Sequence, residues 1–188
     1  MAARLGGLLA ARGIEVVYGG GRVGLMGILA DAALAAGGSV TGVIPRALLE
    51  TEVGHRGLRQ LLVVETMHER KAKMAELSDA FIALPGGFGT LEELCEVLTW
   101  SQLGFHDKPC ALLDVEGYFE PLVALFDRAV TEGFVHPANR ALVIEERDPE
   151  RLLDRLATWR MPQRPLWITA EPEVPPESAD SDRGSQTL

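Results

Sequence analysis

A doubly wound, mostly parallel α/β sheet of the Rossmann-like kind is the fold this sequence predicts. Three observations carry that expectation. Short apolar runs alternate with helical stretches along the chain, and most of those runs are continuously apolar, as strands covered on both faces are. Two Gly-rich segments fall where a strand hands over to a helix, the place where such sheets hold ligands. At 188 residues, 47% of them hydrophobic, the chain suits one ordinary domain with a real core and is short for two.

The elements follow in order. Residues 5–11 read as the end of a helix stopped by Gly13. Residues 14–18 are a buried strand running into Gly19, Gly20 and Gly21. Residues 23–36, rich in Ala and Leu, suit a helix that Gly37 and Gly38 end. Residues 39–44 form a second strand closed by Pro45, and a polar stretch with Glu50, Glu52 and His55 leads to a short strand at 61–64. Residues 67–78 are helical, 81–84 a strand, and Pro85, Gly86, Gly87, Phe88 and Gly89 a tight loop before a helix over 90–103. Strand 111–115, helix 118–131, strand 141–144 and helix 149–159 complete the pattern. Folds of this class normally open with a strand, whereas this chain opens inside a helix. The first strand is therefore expected to be missing, leaving a slot between the strand at Ile14 and the one at Phe81.

Residues 1–162 are expected to form the Rossmann-like domain, and 163–188 an acidic, Pro-rich tail. From Glu171 onward the tail holds five acids, one Arg and three Pro, a net −4 of the chain's −9. With almost nothing to bury, it reads as disordered. An acidic balance argues against nucleic acid, whose binding needs clustered Lys and Arg for counterion release. It leaves room for a small phosphorylated molecule, which requires only a local anion site. Cys95 and Cys110 lack CxxC spacing and flanking His, so neither a disulfide framework nor zinc is expected. His55, His68, His106 and His136 share no metal-ligand spacing and read as ordinary polar residues. No apolar run approaches the roughly 18 residues of a membrane span, and the first 12 residues are too short and broken for a signal peptide. A soluble, cytoplasmic protein without membrane contact is expected.

The chemistry concentrates in three places. Gly19-x-Gly21-x-x-Gly24 matches a dinucleotide fingerprint, but the acid wanted about 20 residues on is absent around Val43, Ile44 and Pro45. A plain turn and a phosphate or ribose contact in a non-redox site both fit it. Pro85-Gly86-Gly87-Phe88-Gly89-Thr90 is more telling, because its glycines expose backbone N–H groups at a helix start, where the dipole favours phosphate. In the following helix, Thr90-x-x-Glu93 has the form of a capping box, which by local pattern outweighs a catalytic Glu93, and Glu92 reads as a solvated first-turn acid. In the helix from Met67, the apolar stripe runs Met67, Met74, Leu77, and at 100° per residue Arg70 falls on it, with Lys71 at its edge. An inward Arg needs an anion, so Arg70 is the expected anion-binding residue, assisted by Lys71.

Taken together, Tyr18-Gly19-Gly20-Gly21, Val23-Gly24-Leu25-Met26-Gly27, Gly42-Val43-Ile44-Pro45, Met67-His68-x-Arg70-Lys71 and Pro85-Gly86-Gly87-x-Gly89-Thr90-x-x-Glu93, in that order, resemble the LOG family, the cytokinin riboside 5′-monophosphate phosphoribohydrolases. The resemblance runs from about Gly13 to Pro137. Members are often labelled lysine decarboxylases, yet the sequence contains no recognisable pyridoxal-phosphate lysine site. The resemblance implies hydrolysis of the N-glycosidic bond of purine nucleoside 5′-monophosphates, with an N6-substituted adenine or adenine released beside ribose 5-phosphate, and no cofactor or metal. It implies Arg70 and Glu93 as the catalytic pair, with Gly86, Gly87, Gly89 and Thr90 around the phosphate. Gly19, Gly20, Gly21, Glu52, Met67, Lys71, Glu92 and Thr99 complete the substrate-binding set. It also implies a homodimer, for which the apolar helix from Leu94 to Leu103, with Trp100, is the expected surface. A general nucleotide nucleosidase, or a carrier of a phosphorylated cofactor, stands beside this reading.

Overall fold

A computed structural model describes residues 1–49, 54, 55 and 57–162. Glu50, Glu52 and the tail at 163–188 lie outside the described residues. The chain runs α1 (Ala2–Ala11), β1 (Val16–Tyr18), α2 (Gly24–Ala35), β2 (Val40–Pro45), α3 (Arg46–Leu49), β3 (Gln60–Val64), α4 (Met67–Leu77), β4 (Phe81–Ala83), α5 (Phe88–Leu103), β5 (Cys110–Leu113), α6 (Glu120–Thr131), α7 (Pro137–Arg140), β6 (Val143–Glu146) and α8 (Pro149–Thr158).

Among the described residues the named strands all pair in parallel, as the unbroken apolar runs require, and the isolated Gly21–Gly54 bridge is antiparallel. β1 lies beside β2, with Val16 opposite Val40, and β2 beside β3, with Thr41 opposite Gln60. β4 lies beside β5, with Phe81 opposite Cys110, and β5 beside β6, with Cys110 opposite Val143. The six strands of the described residues thus make two three-stranded sheets, ordered β1-β2-β3 and β4-β5-β6. Among the described residues β1 and β4 share no ladder, which leaves a gap between the two sheets.

One core nonetheless spans both sheets. Val16, Tyr18 and Val40 pack with Ala111, Leu113 and Ile144, beneath Leu5 and Leu9 of α1, Ala30 and Ala33 of α2, and Leu152 and Leu153 of α8. On the opposite face Leu112 joins Leu94 of α5 and Phe119, with Leu122 and Val123 of α6 against them. Ala111 and Leu113 facing one way and Leu112 the other is the period-2 alternation of a strand covered on both sides. That is the doubly wound arrangement. β2 and β5 are buried along their whole length, whereas every residue of β4 is only half-buried, because β4 borders the gap.

The boundaries differ from expectation where caps and prolines act. α3 and α7, two four-residue helices, were not legible as helices. Pro137 occupies the first turn of α7, and His136 Nδ1 accepts from the Ala138 N–H at 3.2 Å. That turn takes up the residues before Val143 and moves β6 two residues later than expected. α8 begins where Asp148 accepts from the Glu150 and Arg151 N–H groups at 3.0 and 3.1 Å.

Candidate functional site

The site is assembled where the strands end and the helices begin. At the end of β1 the chain turns through Gly19, Gly20 and Gly21. Gly20 has φ +75°, a left-handed conformation open to glycine. Gly19 is held to glycine for a different reason: a Cβ there would lie 2.0 Å from Arg70 Nη2. The turn and the arginine share one volume.

Arg70 comes from α4. That helix is started by Thr66, whose hydroxyl accepts from the Glu69 N–H at 3.1 Å, while Glu69 accepts from the Glu65 N–H at 2.8 Å. Its helical phase aims Arg70 inward, as the sequence implies, and the residue is 7% exposed. Its partners are few. Nη1 donates to Met67 Sδ at 3.6 Å, Nη2 lies 3.7 Å from Glu93 Oε1, and Nε has no partner. A buried guanidinium so thinly paired has the capacity to take an anionic partner.

The second turn, Pro85 to Gly87, follows β4 and leads into α5. The capping box expected over Thr90 and Glu93 does not form. Gly87 has extended backbone and takes the N-cap position, so α5 begins at Phe88 and both residues lie inside the helix. Thr90 instead packs against Gly86, where a Cβ would meet its Oγ1 at 2.2 Å. No side chain caps this end, which leaves first-turn N–H groups and the positive end of a 16-residue helix facing the turn.

Freed from capping, Glu93 is half-buried and turned toward Arg70. Burial pushes its carboxyl pKa up, and Glu92 and Glu96 add to that, while Arg70 and Lys71 pull it down. Lys71 ties α4 to α5, donating to Glu92 at 2.6 Å and Glu96 at 3.0 Å, and these hydrogen bonds raise its ammonium pKa.

A cleft of about 470 Å³ opens between β1 and β4. It brings together Gly19, Arg70, Lys71, Gly86, Gly87, Thr90 and Glu93. Other expected residues are placed elsewhere. Gly20 and Gly21 form the turn behind Gly19. Met67 is largely exposed beside Arg70, and Gly89 and Glu92 are exposed on the first turns of α5. Thr99 is exposed, its hydroxyl donating back to the Cys95 carbonyl at 2.7 Å. Glu52 lies outside the described residues.

Two contacts escaped the sequence. His55 is not an ordinary polar residue: it is buried, and its backbone N–H donates to the Gly20 carbonyl at 3.0 Å. Its Nδ1 accepts from the Gly57 N–H at 3.3 Å, which assigns the proton to Nε2, 2.8 Å from Asp31 Oδ1. The second is Tyr118, whose phenol donates to the Gly86 carbonyl at 2.6 Å. Both partners are distant in sequence, and no local pattern announces either. Among the described residues, no group of three or more His, Cys, Asp or Glu side chains is arranged to hold a metal, and no helix is long and apolar enough to cross a membrane.

The family described as "Possible lysine decarboxylase" matches residues 26–156. A cytokinin riboside 5′-monophosphate phosphoribohydrolase of Rhodococcoides fascians is 54% identical over 151 residues, covering 80% of this chain and 76% of that protein. A probable one from Oryza sativa subsp. japonica is 53% identical over 155 residues, 82% of this chain and 70% of its own length. One from Arabidopsis thaliana is 49% identical over 155 residues, 82% and 73%. Among solved structures, the molybdenum cofactor carrier protein of Chlamydomonas reinhardtii has TM-score 0.62 at 21% identity, covering 85% of this chain and 87% of that one. The molybdenum cofactor binding protein of Rippkaea orientalis has TM-score 0.62 at 23%, covering 83% of each. At those identities the likeness is one of fold.

Proposed function

Because the chain belongs to the LOG family, the cytokinin riboside 5′-monophosphate phosphoribohydrolases, we propose that it hydrolyses the N-glycosidic bond of purine nucleoside 5′-monophosphates, releasing cytokinin-type N6-substituted adenines and ribose 5-phosphate. The observation that supports this most is the buried Arg70 guanidinium set 3.7 Å from the half-buried Glu93 beside an uncapped Gly-rich helix start.

Each part has work suited to that reaction. The phosphate sits at the turn from Pro85 to Gly87 and the first turn of α5, with Thr90 beside it and Lys71 adding positive charge. Glycosidic cleavage breaks the bond between C1′ and the base nitrogen. The base leaves with the electron pair and takes up a proton from solvent, to which Glu93 afterwards returns the one it removes from water, while positive charge spreads over C1′ and the ring oxygen. Glu93 faces that charge and takes a proton from the water that bonds to C1′. Its raised pKa suits proton transfer near neutral pH better than an ordinary carboxylate would. Arg70 orients the substrate and Glu93 together.

The family's other description, lysine decarboxylase, asks for an amine kept neutral to form a Schiff base. Lys71, the lysine of this cleft, is bound to two carboxylates with its pKa raised, the opposite of what that chemistry needs. The residues present do not fit a pyridoxal-phosphate site.

A phosphorylated substrate and two unpaired cysteines, Cys95 and Cys110, fit a cytoplasmic protein. The protein is a homodimer through α5, whose 16 residues bury only Leu94 and Ser101 within the chain, and residues 1–162 act as one domain. Incubation with AMP and N6-isopentenyl-AMP, followed by chromatography of the free base, tests the activity. Binding of either nucleotide with no base released would return the cleft to carriage of a phosphorylated ligand.

A further inference from the structure

Three features at the carboxyl ends of β4, β5 and β6 form one connected strut. Arg147, just after β6, donates from Nε to Asp114 Oδ2 at 3.2 Å and also pairs with Glu120. Asp114, buried at the end of β5, accepts the Phe119 N–H at 2.8 Å through its other oxygen. The loop between them is tightly determined. Glu116 sits at φ +55°, a left-handed conformation rare for a residue with a side chain, and Gly117 at φ +78°. The Tyr118 N–H donates to the Val115 carbonyl at 3.1 Å, and the Tyr118 ring stands edge-on against the buried Phe119 ring at 5.1 Å. The strut ends where the Tyr118 phenol meets the Gly86 carbonyl at 2.6 Å, 32 residues away in sequence.

That last contact determines which way one peptide faces. The Gly86 carbonyl and the Gly87 N–H belong to the same planar trans peptide, so they point in opposite directions. Gly86 and Gly87 both line the cleft and Tyr118 does not. A carbonyl turned out to Tyr118 therefore turns the Gly87 N–H in. With glycine on both sides this peptide has little steric resistance to flipping, and a flip would present a carbonyl oxygen where an anion should sit. We propose that Tyr118 is a positioning residue for the substrate phosphate, locking the peptide between Gly86 and Gly87 with its N–H toward the cleft. This rests on reading that turn as the phosphate cradle.

The test is Tyr118→Phe, which removes the hydroxyl and keeps the ring against Phe119. Binding of ribose 5-phosphate and of adenosine is measured by calorimetry, and KM and kcat with AMP. One hydrogen bond of ordinary net strength corresponds to a change of about three- to tenfold. The ribose 5-phosphate Kd and the AMP KM should both rise by that factor, with kcat within about twofold and adenosine binding unchanged. Asp114→Asn, acting through the loop, should move the same two constants in the same direction. Unaltered ribose 5-phosphate binding in Tyr118→Phe overturns the inference, and so does an equal loss for adenosine, which would mark general damage. If the wild-type protein releases no base from AMP, the hydrolase reading fails while the ribose 5-phosphate comparison still decides the role of Tyr118. If wild type does not bind ribose 5-phosphate, the inference falls with the cradle.

Discussion

Gly19→Ala isolates the fit between the first turn and Arg70. The added Cβ would lie 2.0 Å from Arg70 Nη2 and 2.9 Å from its Cζ, and real Cβ contacts essentially never fall below 3.0 Å. The guanidinium must therefore retreat by about 1 Å, a distance at which misplacement of a positioning group can lower turnover by about 100-fold. That factor corresponds to about 2.7 kcal/mol of transition-state stabilisation. The clash falls on the far end of a flexible side chain rather than on backbone, so the fold should survive with an overpacking cost of about 1–3 kcal/mol. The assay is kcat/KM for AMP in wild type, Gly19→Ala, Arg70→Ala and the double variant, with thermal melts alongside. If the alanine acts by displacing Arg70, its effect on kcat/KM should vanish once Arg70 is gone, giving strong non-additivity. Activity in Gly19→Ala within twofold of wild type, or strictly additive losses, would refute the reasoning.

Glu93→Gln should lower kcat by about 10² to 10⁴ while ribose 5-phosphate still binds, and Arg70→Ala should lose both; an active Glu93→Gln removes that residue from the chemistry. Burial raises the Glu93 pKa, so the folded state holds that proton more tightly than the unfolded chain. Its contribution therefore favours the fold at acidic pH and is lost as pH rises through the raised pKa. The Tm of Glu93→Gln relative to wild type should accordingly be higher at pH 7 than at pH 4, and a gap that does not change with pH would contradict this. Light scattering at micromolar concentration should give twice the 20.3 kDa of the chain; a monomer would count against α5 as an interface. In native-state hydrogen exchange, amides of the fully buried β2 and β5 should be the slowest, and those of β4, beside the cleft, faster.

Much of this was readable from the chain. The order of strands and helices followed from apolar runs separated by glycines. Arg70 does point inward, but the stripe of Met67, Met74 and Leu77 on which it was expected does not mark the buried face: Met67 and Leu77 are exposed and Arg70 is the buried residue of α4. What else failed was either terminal or long-range. Thr90 and Glu93 have the spacing of a capping box, but extended backbone at Gly87 starts the helix earlier, and helix ends are where sequence patterns shift by a residue or two. The four-residue helices α3 and α7 are too short to show a period. Tyr118 and His55 act on Gly86 and Gly20 across 32 and 35 positions of sequence, contacts that exist only once the sheet is built. Lys71 was expected to assist Arg70 in holding an anion; its two carboxylate partners on α5, more than 20 residues away, were not legible, and they fix it at the wall of the cleft.

The divided sheet also bears on how the protein behaves at high concentration. An unpaired strand edge is a template on which another chain can add. β1 and β4 each leave such an edge, but both border one cleft, walled by side chains of α2, α4 and α5, instead of lying on an outer rim. One of the rims, β6, ends in Glu145 and Glu146, and these are engaged by Arg140, Arg151 and Arg155. Resistance to aggregation thus depends on the wall of the cleft. Substitutions at lining residues remote from the chemistry, such as Met74 or Val97, should show themselves first as turbidity on concentration, with catalysis in the surviving soluble fraction little changed.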